Sequence, residues 1–386
     1  MALLLLPISL LCIAVAASCV QEVLRELLAP RLGPPPAQPR EQPLVSVLIP
    51  ARNEAARIGP CMAGLAGQTY RGFEVIVVDD HSSDGTAGVV RAYADRLPAL
   101  EIIQGAPLPA GWAGKCWACW QAAGSARGEW LLFLDADVIP RPELLAALVA
   151  RTQSHAADLL TLMPLQRLGS AAERLVLPTF MALLYGLYPL DLVSDPRSPI
   201  AFANGPCLLI RREVYRATDG HRAVRASILE DTDLGQRVKA AGYRLWAAAA
   251  PDLIEIRMYT GWADLAEGLS KNAVAGYRSG GVRSGWVGAR LALVAFFPGY
   301  LLAMGALMAA GSPAAPLGGV LLLHGALLMA IALFCWGWVA RRRYRVVMWW
   351  GWLFPLGVAI YFALTARALL RLRTGRGVTW KGRTFG

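Results

Sequence analysis

Residues 73–86, with the sequence FEVIVVDDHSSDGT, decide the fold class of this 386-residue chain. The apolar run 73–78 is typical of a buried strand in a parallel sheet, and it ends in two adjacent carboxylates, Asp79 and Asp80. A polar turn with a glycine follows, and then the pattern of a helix. Because ligands bind beyond the carboxyl ends of the strands in open α/β sheets, we expect these acids to face a ligand.

A second strand pattern, residues 130–134, ends in the same way, in Asp135 and Asp137. Acids are common in turns after strands, so one such pair alone would be weak evidence. Acids at two strand ends favour a shared site, and Mg²⁺ and Mn²⁺ prefer carboxylate and phosphate oxygens as ligands. We therefore predict that Asp135 and Asp137 hold a divalent cation, Mg²⁺ or Mn²⁺, together with a phosphorylated ligand.

A third acidic cluster, Glu230 and Asp231 followed by Asp233, opens a predicted helix. Helix starts favour acids as caps and through the helix dipole, and this explanation is sufficient for Asp233. A carboxylate can also take the proton from an acceptor hydroxyl as a general base. Asp231 is the candidate for that role. His81 and His221 are interpreted as loop residues.

Two phosphate-binding motifs are missing from the sequence. Residues 50–54, Pro-Ala-Arg-Asn-Glu, follow the first predicted strand without any glycine, which disfavours a dinucleotide-binding site. Residues 111–115 end in Gly-Lys, but Cys116 stands where a P-loop needs Ser or Thr. Lys115 still begins a predicted helix, where free N–H groups favour anions, so we expect it to bind phosphate rather than to be a solvated loop lysine.

Strand and helix patterns alternate from residue 44 onward, which predicts an α/β fold with a mostly parallel sheet and helices on both faces. The predicted strands are residues 44–49, 73–78, 100–103, 130–134, 158–163, 207–210 and 243–247. The predicted helices are residues 54–68, 86–95, 115–127, 142–153, 171–193, 231–241 and 265–277. Seven cysteines at irregular spacing imply no disulfide framework, and the pair Cys116 and Cys119 is interpreted as two helix residues.

Apolar residues make up 56% of the chain and the mean hydropathy is +0.43, but the excess lies at the two ends. We predict a membrane anchor helix at 1–24, a Pro-rich linker at 25–43, the α/β domain at 44–260, an interfacial segment at 261–288, transmembrane helices at 289–370 and a basic tail at 371–386. Much of the net charge of +11 adjoins apolar segments, which indicates contact with a membrane surface rather than with nucleic acid.

The topology of the apolar segments does not follow from the sequence. Residues 1–20 lack the basic start of a secretory signal and only faintly resemble a lipoprotein cleavage site, so an uncleaved anchor is the better interpretation. Residues 289–310, 317–340 and 346–366 are each long enough to span a bilayer. With a cytoplasmic α/β domain, three such spans would put the basic tail outside, against the positive-inside rule. We therefore suspect that residues 346–366, interrupted by Pro355, do not cross.

In order, the residues 50–54, Asp79-Asp80 with the Ser-Ser-Asp-Gly-Thr turn, Asp135-Ala136-Asp137 and Glu230-Asp231 resemble the motifs of family 2 glycosyltransferases with the GT-A fold. The resemblance covers residues 44–246. It implies a nucleotide-diphospho-sugar transferase with a Rossmann-like sheet that transfers a sugar with inversion at the anomeric carbon. It also implies that Asp231 is the base.

The resemblance implies a role for each further residue of the site. The residues implied to bind the nucleotide sugar are Pro50, Arg52, Glu54, Asp79, Asp80, Lys115 and Asp135. Asp135 and Asp137 would hold the metal, and Glu230 would join Asp231 in catalysis. The residues implied on the acceptor side are Trp112, Asn204, Gly205 and Lys271.

Shorter motifs resemble a subgroup, the membrane-bound bacterial glycosyltransferases that act on carotenoids or are associated with hopanoids. These motifs are residues 111–115, Lys271-Asn272 and residues 380–383. They imply a lipid acceptor, a multi-pass protein of the bacterial inner membrane and a cytoplasmic catalytic domain. Two alternatives stay open, a sugar transferase acting on a polyprenyl phosphate and a non-catalytic membrane scaffold with the same fold. No nucleic-acid partner is expected.

Overall fold

The chain forms two compact units in the computed structural model, which describes residues 2–154, 157–310, 315–374, 377–380 and 383–385. The sheet unit comprises Ala29–Arg167 and Tyr188–Met258. The helical unit comprises Met1–Leu28, Leu168–Leu187 and Tyr259–Gly386. The segment 168–187, which the sequence analysis included in the α/β domain, therefore packs with the apolar helices of the two ends.

The strands of the sheet unit are β1 (Val45–Ala51), β2 (Phe73–Asp79), β3 (Leu100–Gln104), β4 (Trp130–Leu134), β5 (Val138–Pro140), β6 (Leu159–Met163), β7 (Leu165–Gln166), β8 (Cys207–Arg211), β9 (Leu245–Ala249) and β10 (Ile254–Ile256). The helices of the whole chain are α1 (Ala2–Leu28), α2 (Ile58–Ala66), α3 (Thr86–Arg91), α4 (Gly114–Ser125), α5 (Leu144–Ser154), α6 (Ala171–Leu187), α7 (Leu190–Ser194), α8 (Arg212–Ala217), α9 (Gly220–Ala223), α10 (Glu230–Ala240), α11 (Trp262–Ala309), α12 (Ala315–Tyr344) and α13 (Phe354–Arg373).

Seven strands form the main sheet in the order β3-β2-β1-β4-β8-β6-β9. All neighbours pair in parallel except β8, which runs antiparallel to both β4 and β6. The prediction of a mostly parallel α/β sheet is therefore confirmed. The parallel arrangement of β2, β1 and β4 brings their carboxyl ends, and the acids that follow β2 and β4, to one edge of the sheet.

The central strands are buried along their whole length, which explains their apolar sequences. Glu74 is a charged residue in the interior of β2. Its carboxylate accepts hydrogen bonds from Ser46 Oγ at 2.6 Å and from Arg127 Nε at 2.8 Å, so the buried charge is paired.

The sequence analysis missed a second, three-stranded sheet, β5-β10-β7. Its strands have two or three residues, too few to show the alternation that predicts a strand.

The Pro-rich segment, predicted only as a linker, also pairs with the main sheet. Ala249 N donates to Pro30 O at 2.9 Å and Leu32 N donates to Ala249 O at 3.0 Å, so the start of this segment extends the sheet edge at β9.

The helical unit holds α1, α6, α11, α12, α13 and a short hairpin of two strands, β11 (Val378–Trp380) and β12 (Arg383–Phe385). Four segments are long and apolar enough to cross a membrane: Leu6–Leu28, Gly281–Ala309, Pro316–Tyr344 and Met348–Arg373. The predicted helix 265–277 and the predicted span 289–310 are parts of one helix, α11, which is kinked at Gly281. Residues 381 and 382 of the motif 380–383 lie outside the described residues.

Candidate active site

The loops after β1 and β2 hold each other in place. Asn53 Oδ1 accepts from Ser83 N at 2.9 Å, and Ser82 Oγ accepts from Asn53 N at 2.9 Å. Asp84 Oδ2 accepts from Ala55 N at 3.0 Å. The Ser-Ser-Asp turn of the opening sequence therefore fixes the shape of both loops, a role that sequence reasoning did not assign.

Asp79 and Asp80 lie in this turn in different ways. Asp79 is buried, and its Oδ1 accepts from Ser82 N at 2.9 Å, so this oxygen holds the turn. Asp80 Oδ2 lies 3.3 Å from Arg52 Nη1, and Asp80 Oδ1 lies 3.4 Å from His81 Nδ1. The predicted residues Arg52 and Asp80 are thus brought together at the end of β2. Glu54 is buried nearby, with its N–H donating to Thr86 Oγ1 at 2.9 Å.

Lys115 joins acids from two distant parts of the sequence. Its Nζ lies 2.8 Å from Asp135 Oδ1, at the end of β4, and 2.9 Å from Glu230 Oε1, at the start of α10. Burial alone would lower the pKa of this ammonium group. The surrounding carboxylates outweigh burial and hold the pKa of Lys115 well above its usual range.

Asp231 lies beside this cluster. Its Oδ2 accepts from Gly205 N at 2.6 Å, and its Oδ1 accepts from Thr232 N at 2.7 Å. Burial, followed by the negative charge of Glu230, raises the pKa of Asp231 to about 6. A carboxyl group with this pKa is ionised at neutral pH and still basic enough to accept a proton.

Gly205 leaves the space in which Asp231 and Lys115 approach each other. A Cβ at this position would lie 3.0 Å from Asp231 Oδ2 and 3.0 Å from Lys115 Nζ. The loop before β8 therefore needs a residue without a side chain here.

These groups line one small pocket at the carboxyl edge of β1 and β4. The lining residues with a predicted role are Pro50, Lys115, Asp135, Gly205, Glu230 and Asp231. Residues from separate stretches of sequence thus meet in one place. Asp79 and Asp80 lie at the end of β2, which pairs with β1.

His221 also lines the pocket, and the prediction that it is a loop residue was wrong. It lies in α9, buried, with Nδ1 3.0 Å from Tyr215 Oη. Burial lowers the pKa of His221 to about 4, so its imidazole is neutral at physiological pH. No local sequence signal marks this histidine, because its environment is made by α8, β4 and α4.

The acids after β4 offer hard oxygen donors. Burial raises the pKa of the Cys61 thiol, and the negative charges of Asp137 and Asp135 raise it further. In the described part of the chain, no group of three or more His, Cys, Asp or Glu residues forms a metal cage. Mg²⁺ commonly takes only one or two carboxylates and completes its shell with substrate phosphates and water, so this pair fits such an ion.

The remaining predicted residues lie in different places. Asn204 Nδ2 donates to Leu162 O at 2.9 Å, so the Asn204 amide holds the loop to β6. Trp112 precedes α4 and packs edge-on against Trp117, with ring centroids 5.0 Å apart. Lys271 lies on α11, in the helical unit. Cys116 and Cys119 are buried on α4, as predicted.

Comparison with known proteins gives a family profile, two relatives and a solved structure that match this chain. The profile of the family described as Glycosyl transferase family 2 matches residues 46–218. A 4,4'-diaponeurosporenoate glycosyltransferase of Staphylococcus haemolyticus is 28% identical over 240 residues, which cover 61% of this chain and 62% of that protein. Its namesake from Staphylococcus aureus is 29% identical over 235 residues, with 60% and 61% covered. The chain thus spans about three fifths of the length of these relatives.

A solved structure extends the likeness to the fold. The mannosyltransferase of Pyrobaculum calidifontis, determined in complex with GDP-Man and Mn²⁺, matches with a TM-score of 0.50 at 21% identity, covering 93% of this chain and 98% of that chain. This likeness confirms the predicted GT-A fold, and the matching profile confirms the resemblance drawn from the ordered acidic motifs. Residues 46–218 of this chain therefore match the profile of glycosyl transferase family 2.

Proposed function

We propose that this protein transfers a sugar from a nucleotide-diphosphate donor to a hydroxyl group of a membrane lipid, a carotenoid or another isoprenoid or hopanoid lipid, with inversion at the anomeric carbon. The observation that carries the proposal is the convergence of Lys115, Asp135 and Asp231 on one pocket. That pocket offers a cation for phosphate, a hard oxygen for a metal and a base for the acceptor. The matched family profile supports the reaction class.

The nucleotide half of the donor is assigned to the loops after β1 and β2. Asp80 is the carboxylate offered to the base or ribose, and Arg52 orients it across 3.3 Å. Pro50, Glu54 and Asp79 complete this part of the site by shaping the backbone. The mutual hydrogen bonds of the two loops keep the site preformed, which lowers the entropic cost of binding.

The diphosphate is assigned to Lys115 and to the acids after β4. Lys115 can exchange Asp135 and Glu230 for phosphate oxygens, because an ammonium group has three donors and a flexible stem. Asp135 and Asp137 would hold Mg²⁺ or Mn²⁺, which when bound stabilises the negative charge of the departing diphosphate. The complex of the Pyrobaculum enzyme with GDP-Man and Mn²⁺ supports this donor class and this ion.

Asp231 is the proposed general base. It is oriented by the hydrogen bond from Gly205 N and by the N–H at the start of its own helix. Glu230 raises the pKa of Asp231 and shares Lys115 with Asp135. Asn204, Gly205 and Trp112 are the residues of the sheet unit assigned to the acceptor side, and the acceptor role of Lys271 stays a prediction from the sequence.

The acceptor class is inferred from the relatives and from the helices. The Staphylococcus proteins are named for a carotenoid, and four helices of this chain are long and apolar enough to cross a membrane. We propose an integral protein of the bacterial inner membrane, with the sheet unit on the cytoplasmic side, where nucleotide sugars are available. Lipid mass spectrometry of cells with and without the gene tests the proposal. A glycolipid should disappear on deletion and return with the wild-type chain.

The pH dependence of transfer should report Asp231. Because burial and Glu230 raise its pKa to about 6, the base is lost as the pH falls through 6, rather than near 4 as for an ordinary aspartate. We expect log(kcat/KM), which reports ionisations of the free protein, to be flat above this break and to fall with unit slope below it. Donor binding measured over the same pH range is the control. A break near pH 4, or none, would remove the base assignment.

Metal removal should abolish transfer without unfolding the protein. EDTA is expected to stop turnover, and added Mn²⁺ or Mg²⁺ should restore it, because two carboxylates with a bound diphosphate provide a suitable oxygen shell. Asp137→Asn should raise the concentration of Mn²⁺ needed for half-maximal rate. Asp84→Asn, an acid in the same edge loops that only holds the turn, is the matched control. Full activity in EDTA would show that the diphosphate leaves with the help of Lys115 alone.

A further inference from the structure

Helix α13 ends in exposed arginines whose side of the membrane depends on the direction of the helix. Arg367, Arg371 and Arg373 are all exposed on its last turns. The segment Met348–Arg373 has the length and the hydropathy of a membrane span. A crossing would separate these arginines from Arg341 and Arg342, which are exposed at the end of α12.

The ends of α1 and α12 lie side by side at a charged end of the helical unit, defined by Glu22, Glu26, Arg290 and Arg343. Arg343 Nε donates to Glu26 Oε2 at 2.8 Å, and Arg290 Nη2 lies 3.3 Å from Glu22 Oε2. Since Glu26 is near the end of α1 and Arg343 is near the end of α12, the two helices finish on the same side of a membrane.

Helix α6 lies on the side of the membrane at which α1 and α12 end. The chain enters α6 from the sheet unit at residue 168 and returns to the sheet unit at residue 188, so α6 cannot cross a membrane. The Arg343 guanidinium stacks 3.9 Å from the ring centroid of Tyr185, near the end of α6. Helix α6 therefore lies at the level of the charged end.

Helix α13 packs lengthwise along α6, in the same direction. A Cβ on Gly357 would collide with the carbonyl oxygen of Leu175, and the rings of Tyr361 and Phe180 have centroids 6.3 Å apart. Close backbone approach at Gly357 and the ring pair one turn later keep the two helices together. An element that runs beside α6 stays on the side of the membrane that α6 occupies.

The two ends of α13 give its direction. Phe354, at the start of α13, stacks on Trp336 with ring centroids 3.9 Å apart. Trp336 precedes Arg343 by about two turns of α12, so at 1.5 Å per residue it lies roughly 10 Å deeper in the helical unit than the charged end. Eight residues later, Phe362 reaches Gly288, which is two residues from Arg290. Helix α13 therefore starts deep in the bundle and runs back toward the charged end.

We propose that α13 re-enters rather than crosses, so that the exposed arginines after α12 and at the end of α13 form one basic surface on one leaflet. These arginines are Arg341, Arg342, Arg345, Arg367, Arg371 and Arg373. Its partner is the anionic head-group layer of that leaflet, which attracts arginines next to apolar segments. Trp349 and Trp352 are exposed between the two arginine groups, as expected at a membrane interface. The inference rests on the proposed membrane location, and it removes the conflict with the positive-inside rule.

Cysteine labelling tests the side of the tail. All seven native cysteines are buried, so the unmodified chain gives the background. Thr374→Cys reports the tail, Asp95→Cys the sheet unit and Ala310→Cys the turn between α11 and α12. With a membrane-impermeant maleimide, we expect positions 374 and 95 to react in inverted vesicles and position 310 to react in spheroplasts.

The outcomes separate this inference from the proposed membrane location. If position 374 reacts on the side of position 310 and opposite to position 95, α13 crosses and the inference is wrong. If positions 95 and 310 react on the same side, the spans themselves are wrong, and the inference falls with them.

A fluorophore attached to the Thr374→Cys variant tests the lipid partner. We expect a blue-shifted emission in nanodiscs of phosphatidylglycerol relative to phosphatidylcholine, reversed by high salt because exposed charges are screened. A further variant with Arg367, Arg371 and Arg373 also changed to Gln should lose the shift. Equal emission in both lipids would overturn the basic surface as a head-group contact.

Discussion

Replacing Asp231 by asparagine should lower kcat by roughly 10²- to 10⁴-fold, the usual contribution of a positioned general base. Donor binding should change little, because the amide oxygen can still accept from Gly205 N. Two effects on stability should largely offset each other. Asparagine has a single oxygen, so Thr232 N loses the acceptor that Asp231 Oδ1 provides. The folded chain holds the Asp231 proton more tightly than the unfolded chain does, so the ionised carboxylate costs stability at neutral pH, and asparagine removes that cost.

Asp233→Asn is the matched control for this variant. Asp233 lies on the same first turn of α10, but its Oδ2 accepts from Ser227 Oγ at 2.6 Å and it has no part in the pocket lining. We expect it to keep most of its turnover with some loss of thermal stability. If purified Asp231→Asn turns over like Asp233→Asn, Asp231 is not the base.

The acceptor decides how such a result is to be interpreted. A hydroxyl acceptor needs a base, whereas a carboxylate or a lipid phosphate is already an anion. The word diaponeurosporenoate in the name of the Staphylococcus relatives denotes a carboxylate. Assaying Asp231→Asn with hydroxyl, carboxylate and polyprenyl-phosphate acceptors therefore separates the proposed reaction from these alternatives. Failure of the wild type to bind any nucleotide sugar with Mn²⁺ would instead support the alternative of a non-catalytic membrane scaffold with the same fold.

Lys115→Met should weaken donor binding by roughly 10- to 100-fold, since a hydrogen bond to a charged group contributes about 1.5–3 kcal/mol. It should also move the pH break of the remaining activity to above 6. Lys115 is the cation that lowers the pKa of Asp231, and its removal leaves the negative charge of Glu230 uncompensated. Calorimetric titration with the donor and a pH series of kcat/KM measure the two effects.

Lys239→Met is the control for the loss of a lysine. Lys239 Nζ donates to the backbone carbonyls of Val193 and Ile200 at 2.8 and 2.7 Å, so its loss should reduce thermal stability. It should leave the pH break in place, because Lys239 does not line the pocket. An unshifted break in Lys115→Met would show that Lys115 does not set the protonation of Asp231.

The sequence predicts those parts of the fold that depend on local pattern. Strands β2 and β4 are long, apolar and followed by acids, so both their burial and their position at the site follow from the sequence. The antiparallel direction of β8 does not, because a short run of buried apolar residues such as Cys207–Ile210 carries no signal of strand direction. Direction is set by the connection through 168–206, part of which belongs to the helical unit.

The residues of the site likewise divide into those that local sequence predicts and those that only the tertiary structure brings into place. Lys115 could be assigned from its place at a helix start, but its two carboxylate partners come from residues 20 and 115 positions away, a pairing that only the fold defines. His221 was missed because burial against Tyr215 and Phe133 is a tertiary property. Asp79 carries the same sequence signal as Asp80, yet one of its oxygens serves the turn.

The close approach of Asp231 and Lys115 to Gly205 limits how the pocket can be changed by mutation. Libraries that reshape the pocket for a new sugar should keep this position fixed, because a single methyl group would press on both the proton acceptor and the phosphate-facing ammonium. Gly205→Ala should therefore lower turnover, because the ends of both side chains must shift by a few tenths of an ångström to admit the methyl group. Such a variant would give a reference of reduced activity for experiments in living cells.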